Sequence, residues 1–160
     1  MAKVLVTYFT VSGNTEALAE AVAVGAKRVD GVEVELRPVD QVSPDDLLGC
    51  DGIAIGSPVY YGGMAAEVKQ LIDASVRHHG KLTGKVGGAF ATCGVAGGGC
   101  ETTVMDLLHS LLIHGMIVQG DAGGPHYGPV CVGAPDEAAR KEGEKLGARV
   151  ATLAKRLAAG

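Results

Sequence analysis

The run Lys3-Val-Leu-Val-Thr-Tyr-Phe9 passes without interruption into Thr10-Val-Ser-Gly-Asn-Thr15, and that turn passes into Glu16-Ala-Leu-Ala-Glu-Ala-Val22. An apolar, β-branched run, a turn of small polar residues and a helical repeat follow one another, which is a strand, a loop and a helix start. A helix that begins directly after a strand leaves its first N–H groups without partners and facing one point, at the positive end of the helix dipole. Such a point binds anions. Thr10, Ser12 and Thr15 supply hydroxyls, Gly13 lets the backbone come close, and Asn14 adds an amide. No Lys or Arg lies between Tyr8 and Val24. A cradle of neutral dipoles suits one terminal monophosphate; a triphosphate with Mg²⁺ calls for the G-x-x-x-x-G-K-[ST] pattern, which is missing here.

Working outward, the same alternation repeats. Strand-like runs cover Lys3 to Phe9, Val32 to Leu36, Gly52 to Gly56, Val86 to Thr92 and Met116 to Gln119. Helical patterns cover Asn14 to Arg28, Met64 to Arg77, Glu101 to His114 and Pro135 to Ala158. Ser43-Pro44-Asp45-Asp46 has the form of an N-cap with Pro at the first helical position, so a short helical turn is expected before the third strand. The last helix opens with Asp136 and Glu137 and closes with Lys155 and Arg156, complementing its dipole. Apolar strands alternating with amphipathic helices predict a parallel sheet covered on both faces with right-handed crossovers. The expectation is one α/β domain over residues 1–160, a three-layer sandwich around five parallel strands in the order 2-1-3-4-5.

Ligands of such sheets lie beyond the carboxyl ends of the strands, beside the point where strand order reverses. The loops after strands 1, 3 and 4 are therefore the ones to read. After strand 3 comes Gly56-Ser-Pro-Val-Tyr-Tyr-Gly-Gly63; after strand 4 comes Thr92-Cys-Gly-Val-Ala-Gly-Gly-Gly99. Both are rich in backbone amides and free of charge. A flat heteroaromatic ring is held by apolar or aromatic faces with main-chain hydrogen bonds at its edge. The candidate contacts are Pro58, Val59, Tyr60, Tyr61 and Gly62 in the first loop, and Thr92, Cys93, Gly94, Gly97 and Gly98 in the second. Adjacent side chains diverge, so one of Tyr60 and Tyr61 is expected to stack. The Gly62-Gly63 pair is placed to reorient a peptide beside the ring. One phosphate loop and two ring loops point to FMN.

The composition narrows the partners. The 160 residues carry a formal net charge of −4, with 14 basic residues scattered along the chain, which argues against a nucleic-acid footprint. Mean hydropathy is high at +0.23, but charges break every apolar run short of the roughly 20 residues of a membrane span. The opening Met-Ala-Lys-Val leads straight into a strand without the features of a secretory signal, so a cytoplasmic protein is expected. Cys50, Cys93, Cys100 and Cys131 lack C-x-x-C spacing, so no metal site is expected and the thiols read as reduced. A bridge between Cys93 and Cys100 across the Gly-rich loop would need a special reason in a reducing compartment. His126 and Tyr127 lie in the long segment Gly120 to Pro135, a length typical of functional loops.

These residues resemble a known family, the flavodoxin-like FMN proteins, and within them the WrbA-type NAD(P)H:quinone oxidoreductases and NADPH-dependent FMN reductases. Thr10-Val-Ser-Gly-Asn-Thr15 is similar to the flavodoxin loop T-x-T-G-N-T. Gly56-Ser-Pro-Val-Tyr-Tyr-Gly62 resembles the ring loop of the FMN reductases. Gly97-Gly-Gly-Cys-Glu-Thr-Thr103 with Leu111-Leu-Ile-His-Gly-Met116 is similar to the WrbA segment G-G-G-Q-E-T-T…L-x-H-H-G-M, with Ile113 replacing the first histidine. The resemblance implies a flavodoxin-like fold, FMN as cofactor, NADH or NADPH as electron donor and a quinone-like acceptor. It also implies His114 as a catalytic residue over the flavin and a homo-oligomer, dimer or tetramer. The alternative is a flavodoxin-type electron carrier between proteins; dedicated carriers of that family are strongly acidic, and −4 is modest.

Overall fold

The computed structural model describes residues 1–159. In chain order its elements are β1 (Ala2–Tyr8), α1 (Asn14–Lys27), β2 (Val32–Pro38), α2 (Pro44–Leu48), β3 (Gly52–Tyr60), β4 (Gly63–Met64), α3 (Ala66–Ala74), β5 (Val86–Cys93), α4 (Cys100–Ile113), β6 (Ile117–Val118), β7 (Val130–Val132) and α5 (Glu137–Ala158). Single 3-10 turns at Val39–Gln41 and Ser75–His78 follow β2 and α3. The sheet runs β2-β1-β3-β5-β6, and these strands pair in parallel. That is the expected order 2-1-3-4-5 and a flavodoxin-like α/β fold, with two short strands more than the five expected.

Both additions have physical causes. The third strand does not end at Gly56: it continues in register with β5 to Pro58↔Thr92, then folds back on itself as a hairpin with Val59 opposite Met64 and Tyr60 opposite Gly63. The fifth strand position is split. Its first part, β6, pairs with Val86 and Gly87, and its second, β7, pairs with Ala91 to Cys93. Residues 119–129 leave the sheet between them, and Gly128 passes so close to β5 that a Cβ there would lie 2.1 Å from the Ala89 carbonyl oxygen.

The two-residue period of the strands divides the core. Leu5, Ile53, Ile55, Ala89 and Ala91 face one side, where Val68 and Leu71 of α3 and Val104, Leu107 and Leu111 of α4 cover them. Val4, Val6, Ala54, Val86 and Phe90 face the other, beneath Leu18 and Val22 of α1 and Leu146, Val150 and Ala154 of α5. Glycines set two close approaches. Phe90 fills the space above Gly56, where a Cβ would meet its ring at 2.0 Å, and α1 and α5 touch backbone to backbone, with Cβ positions at Gly25 and Gly147 falling 1.9 Å from the Glu144 carbonyl oxygen and 1.8 Å from that of Val22. α2 carries the expected cap: Ser43 Oγ accepts from Asp46 N while Asp46 Oδ2 accepts from Ser43 N.

Candidate functional site

Three helices begin at the carboxyl edge of the parallel strands without a side-chain cap. Gly13 precedes α1 in a left-handed conformation, φ 85°, and Gly99 precedes α4 likewise, φ 106°; Ala65 precedes α3, with its N–H given to Ser57 Oγ at 2.8 Å. α5 differs, because Asp136 Oδ1 accepts from Ala139 N at 2.8 Å and closes its start. The chain thus leaves the first amides of α1 and α4 open where β1 and β5 end. That is the condition for binding an anion or a polar ring edge.

The first loop is held in shape by its own residues. Thr10 Oγ1 accepts from Gly13 N at 3.0 Å, and nothing lies within 4 Å of the position a Gly13 Cβ would take. Ser12 is exposed, and Gly13 and Asn14 are half-buried. Thr15 is different: it is buried, and its hydroxyl lies 2.8 Å from Thr92 Oγ1. The two expected contacts Thr15 and Thr92 therefore form a joint beneath the loops, tying the first turn of α1 to the end of β5. Tyr8 flanks the loop and donates to Glu16 Oε1 at 2.8 Å; burial together with the Glu16 carboxylate pushes its phenol up to about 12.

The second loop is a tight hairpin turn rather than an open loop. Tyr61 and Gly62 are its two central residues, with φ 51° and 80°, the left-handed pair of a type I′ turn. Tyr61 is the one non-glycine residue with positive φ among the described residues, a conformation that costs on the order of 1–2 kcal/mol for an L side chain. Its side chain stands free in solvent, and Tyr60 is also exposed, while Pro58 and Val59 are half-buried in the strand. The third loop touches the second. Thr102 Oγ1 shares its proton between the carbonyls of Gly62 and Gly99, at 3.0 and 2.9 Å, and a Cβ on Gly99 would lie 2.9 Å from Gly62 Cα. Gly94 and Gly97 are exposed, Gly98 half-buried and Cys93 buried. Ser57 and Thr102, which position the hairpin, were absent from the expected set. The signal for Thr102 lay in its place three residues after Gly99, a hydroxyl in the first turn of a helix that has no side-chain cap.

The structure brings Thr10, Ser12, Gly13, Asn14, Thr15, Pro58 to Gly62 and Thr92 to Gly98 to one edge of the sheet. It does not bring His114 there. α4 spans 14 residues from Cys100, and at ~1.5 Å per residue its far end is about 20 Å from the Gly-rich loop. His114 is buried at the opposite edge. Ser75 Oγ donates to Ile72 O at 2.6 Å, so the 2.8 Å contact with His114 requires the histidine Nε2–H to donate to Ser75. Nδ1 is buried without a partner. Burial, and then the nearby His79, lower its pKa from 6.5. α4, which joins His114 to the Gly-rich loop, thus sets the two at its opposite ends within one chain. His126 and Tyr127 are exposed in the excursion between β6 and β7, where His126 Nδ1 lies 2.7 Å from the Asp121 carbonyl and Arg149 holds Asp121 at 3.1 Å.

A groove of about 750 Å³ opens beside the hairpin between α3 and α4, lined by Tyr60, Met64, Lys69, Asp106, His109 and their neighbours. No helix among the described residues is long and apolar enough to cross a membrane.

Comparison with known proteins adds the following. The family model described as NADPH-dependent FMN reductase matches residues 44–124. A flavodoxin of Aquifex aeolicus is 40% identical over 94% of this chain and 86% of its own length. A protein of Archaeoglobus fulgidus named NAD(P)H dehydrogenase (quinone) is 34% identical over 98% of this chain and its whole length. The structure of the flavodoxin, WrbA-like protein from Agrobacterium tumefaciens superposes with a TM-score of 0.83 at 27% identity, covering 98% of this chain and 99% of that one.

Proposed function

The chain belongs to the flavodoxin-like FMN proteins of the WrbA and FMN-reductase superfamily, and from that premise we propose that it is an NAD(P)H-dependent oxidoreductase that reduces quinones or similar apolar acceptors. FMN supplies the chemistry of taking up and passing on a hydride. The chain's residues bind, orient and shield. In this reading the open amides of Asn14, Thr15 and Glu16, with the hydroxyls of Thr10 and Ser12, grip the terminal phosphate. The hairpin and the Gly94 to Gly99 loop present backbone N–H dipoles to the ring edge, and one of Tyr60 and Tyr61 covers a face. The fit rests on the left-handed Gly13, whose Cβ side is empty, and on the uncapped start of α1.

One observation carries the choice of an enzyme over a carrier. The segments that rim the site, residues 9–14, 57–63 and 93–99, contain no Asp, Glu, Lys or Arg. Instead Val11, Tyr60, Tyr61, Val95 and Tyr127 stand exposed in the loops at this edge. Carriers that dock on protein partners use charge to steer the encounter, whereas an uncharged, apolar rim suits a small apolar acceptor. The adjoining groove is within the size range of small-molecule sites and offers room for the electron donor. The second reading, an electron carrier, draws support from the 40% identity to a protein named flavodoxin.

Anaerobic mixing of the FMN-loaded protein with NADPH or NADH, followed by benzoquinone, tests the proposal. Loss of the flavin's visible absorbance with the nucleotide and its return with the quinone is expected. An unchanged spectrum with both nucleotides removes the enzyme reading and leaves the carrier.

A further inference from the structure

Two helices of this chain have a carboxylate as their third residue, and they use it in opposite ways. In α2 it is Asp46, whose Oδ2 accepts from Ser43 N at 2.7 Å and from Ser43 Oγ at 2.6 Å, while Asp46 N donates to Ser43 Oγ. The carboxylate closes its own helix start, and the bonds from Ser43, side chain first and backbone second, hold the Asp46 carboxyl below its ordinary value of 3.8. In α1 it is Glu16. Gly13 has no side chain to complete such a pair, its N–H goes to Thr10 Oγ1 at 3.0 Å, and Glu16 Oε1 accepts from the phenol of Tyr8 at 2.8 Å. Both halves of the reciprocal cap are drawn off by residues upstream, and α1 begins without a side-chain cap.

We propose that Tyr8 is a positioning residue for the cofactor's phosphate: it holds the Glu16 carboxylate off the first turn of α1, so that an outside anion, and not the chain's own, takes the open amides. The inference rests on the placement of the FMN phosphate proposed above and names the residue that keeps that place accessible. A carboxylate at the third position of a helix is drawn back to the N–H groups and the positive end of the dipole, as Asp46 is in α2. Between Tyr8 and Val24 the chain has no Lys or Arg to neutralise Glu16. Arg140 of α5 reaches this turn but donates to the Ala17 carbonyl, at 3.4 Å.

Tyr8 is suited to the task because the core fixes it. It is the last residue of β1, 5% exposed, and belongs to the apolar cluster under α1 and α5, whereas Glu16 is exposed. Burial, and then the bond to Glu16 and its charge, push the phenol up to about 12, so it stays protonated and goes on donating. Released from Tyr8, the carboxylate competes with a phosphate twice, by taking its amides and by repelling it. Neither effect reaches the ring. A flavin without a phosphate is therefore blind to the Tyr8 hydroxyl.

Fluorescence titration of the full chain, stripped of flavin, with FMN and with riboflavin tests this in the wild type, Tyr8→Phe, Glu16→Ala and the double variant. Tyr8→Phe is expected to bind FMN about tenfold more weakly at low salt and riboflavin as the wild type does. The FMN loss is expected to shrink at 1 M salt, where the Debye length is about 3 Å. Tyr8→Phe/Glu16→Ala is expected to regain wild-type affinity for FMN. Glu16→Ala alone is expected to bind FMN at least as tightly as the wild type, and it reads the same charge should Tyr8→Phe fail to fold. Equal losses for the two ligands, unchanged FMN binding by Tyr8→Phe, a double variant no better than Tyr8→Phe, or weaker FMN binding by Glu16→Ala overturns the inference and leaves the cofactor site standing. A wild type that binds FMN no more tightly than riboflavin overturns the placement of the phosphate itself, and the inference with it.

Discussion

Thr15 Oγ1 and Thr92 Oγ1 lie 2.8 Å apart and buried, 77 residues apart in the chain, so the start of α1 and the end of β5 are joined by a pair of hydroxyls. Replacing one of them strands the other without a partner, and an unsatisfied buried hydroxyl costs about 1–3 kcal/mol, whereas removing both is close to neutral. Thr15→Val and Thr92→Val are each expected to destabilise by that amount in urea unfolding, and the double variant by clearly less than the sum of the two. Additive losses would show that the two hydroxyls do not depend on one another.

Gly13 holds φ 85° with open space on its Cβ side, so Gly13→Ala meets no clash and pays only for its backbone, about 1–2 kcal/mol. The strain distorts the turn that presents the first amides of α1. Fluorescence titration is expected to show roughly tenfold weaker binding of FMN, in keeping with that cost, and a much smaller change for riboflavin, which lacks the phosphate. Equal losses for the two ligands would move the phosphate away from this loop.

Tyr61 sits in a left-handed conformation at the first position of a type I′ turn, followed by Gly62. Asn-Gly is the favoured pair for that turn, so Tyr61→Asn is expected to stabilise the protein by about 1 kcal/mol, a rise of roughly 2–4 °C in Tm. If Tyr61 is the stacking residue, flavin affinity falls in the same variant. A Tm that does not rise would show that the turn is held against strain by contacts outside it.

His114 is buried with a lowered pKa, through burial first and His79 second. The groups around it are His79, Lys69 and Asp73 on the groove it lines, with Ser75 as its hydrogen-bond partner. A histidine whose folded pKa lies below its unfolded value contributes stability that is whole above the unfolded pKa of 6.5 and is lost as pH falls below it. Thermal unfolding is expected at lower temperature at pH 5.5 than at pH 7.5, with a smaller difference in His114→Gln. An equal drop in both proteins assigns the acid sensitivity to other groups.

Much of the fold could be read before any coordinate. The apolar runs of β1, β3 and β5 and the helical periods of α1, α4 and α5 are long enough to declare themselves, and the strand order follows from their alternation. What escaped reading depended on tertiary contact. The stretch after Gly56 reads as a turn because of Pro58 and the Gly pair, yet Ser57 and the parallel partner Thr92 hold it in the sheet. Val130 to Val132 is too short to stand out within a Gly- and Pro-rich segment. For the site, Thr10 to Asn14 and the two ring loops converge because consecutive parallel strands end at one edge. His114 was carried to the site by likeness of sequence, and only the length and direction of α4 reveal how far from it the residue lies. The joints Thr15 with Thr92 and Thr102 with Gly62 pair residues far apart in the chain, and no local pattern announces them.

The interrupted fifth strand has a bearing on how this protein behaves when concentrated. A long unpaired strand invites a neighbouring molecule to add its own, but here the outer strand on that flank is cut into two-residue and three-residue pieces. The opposite flank, β2, is studded with the ion pairs of Glu35 with Lys3 and Arg37. Neither border offers a continuous apolar template, which works against the addition of a neighbour's strand at either edge while the protein stays folded.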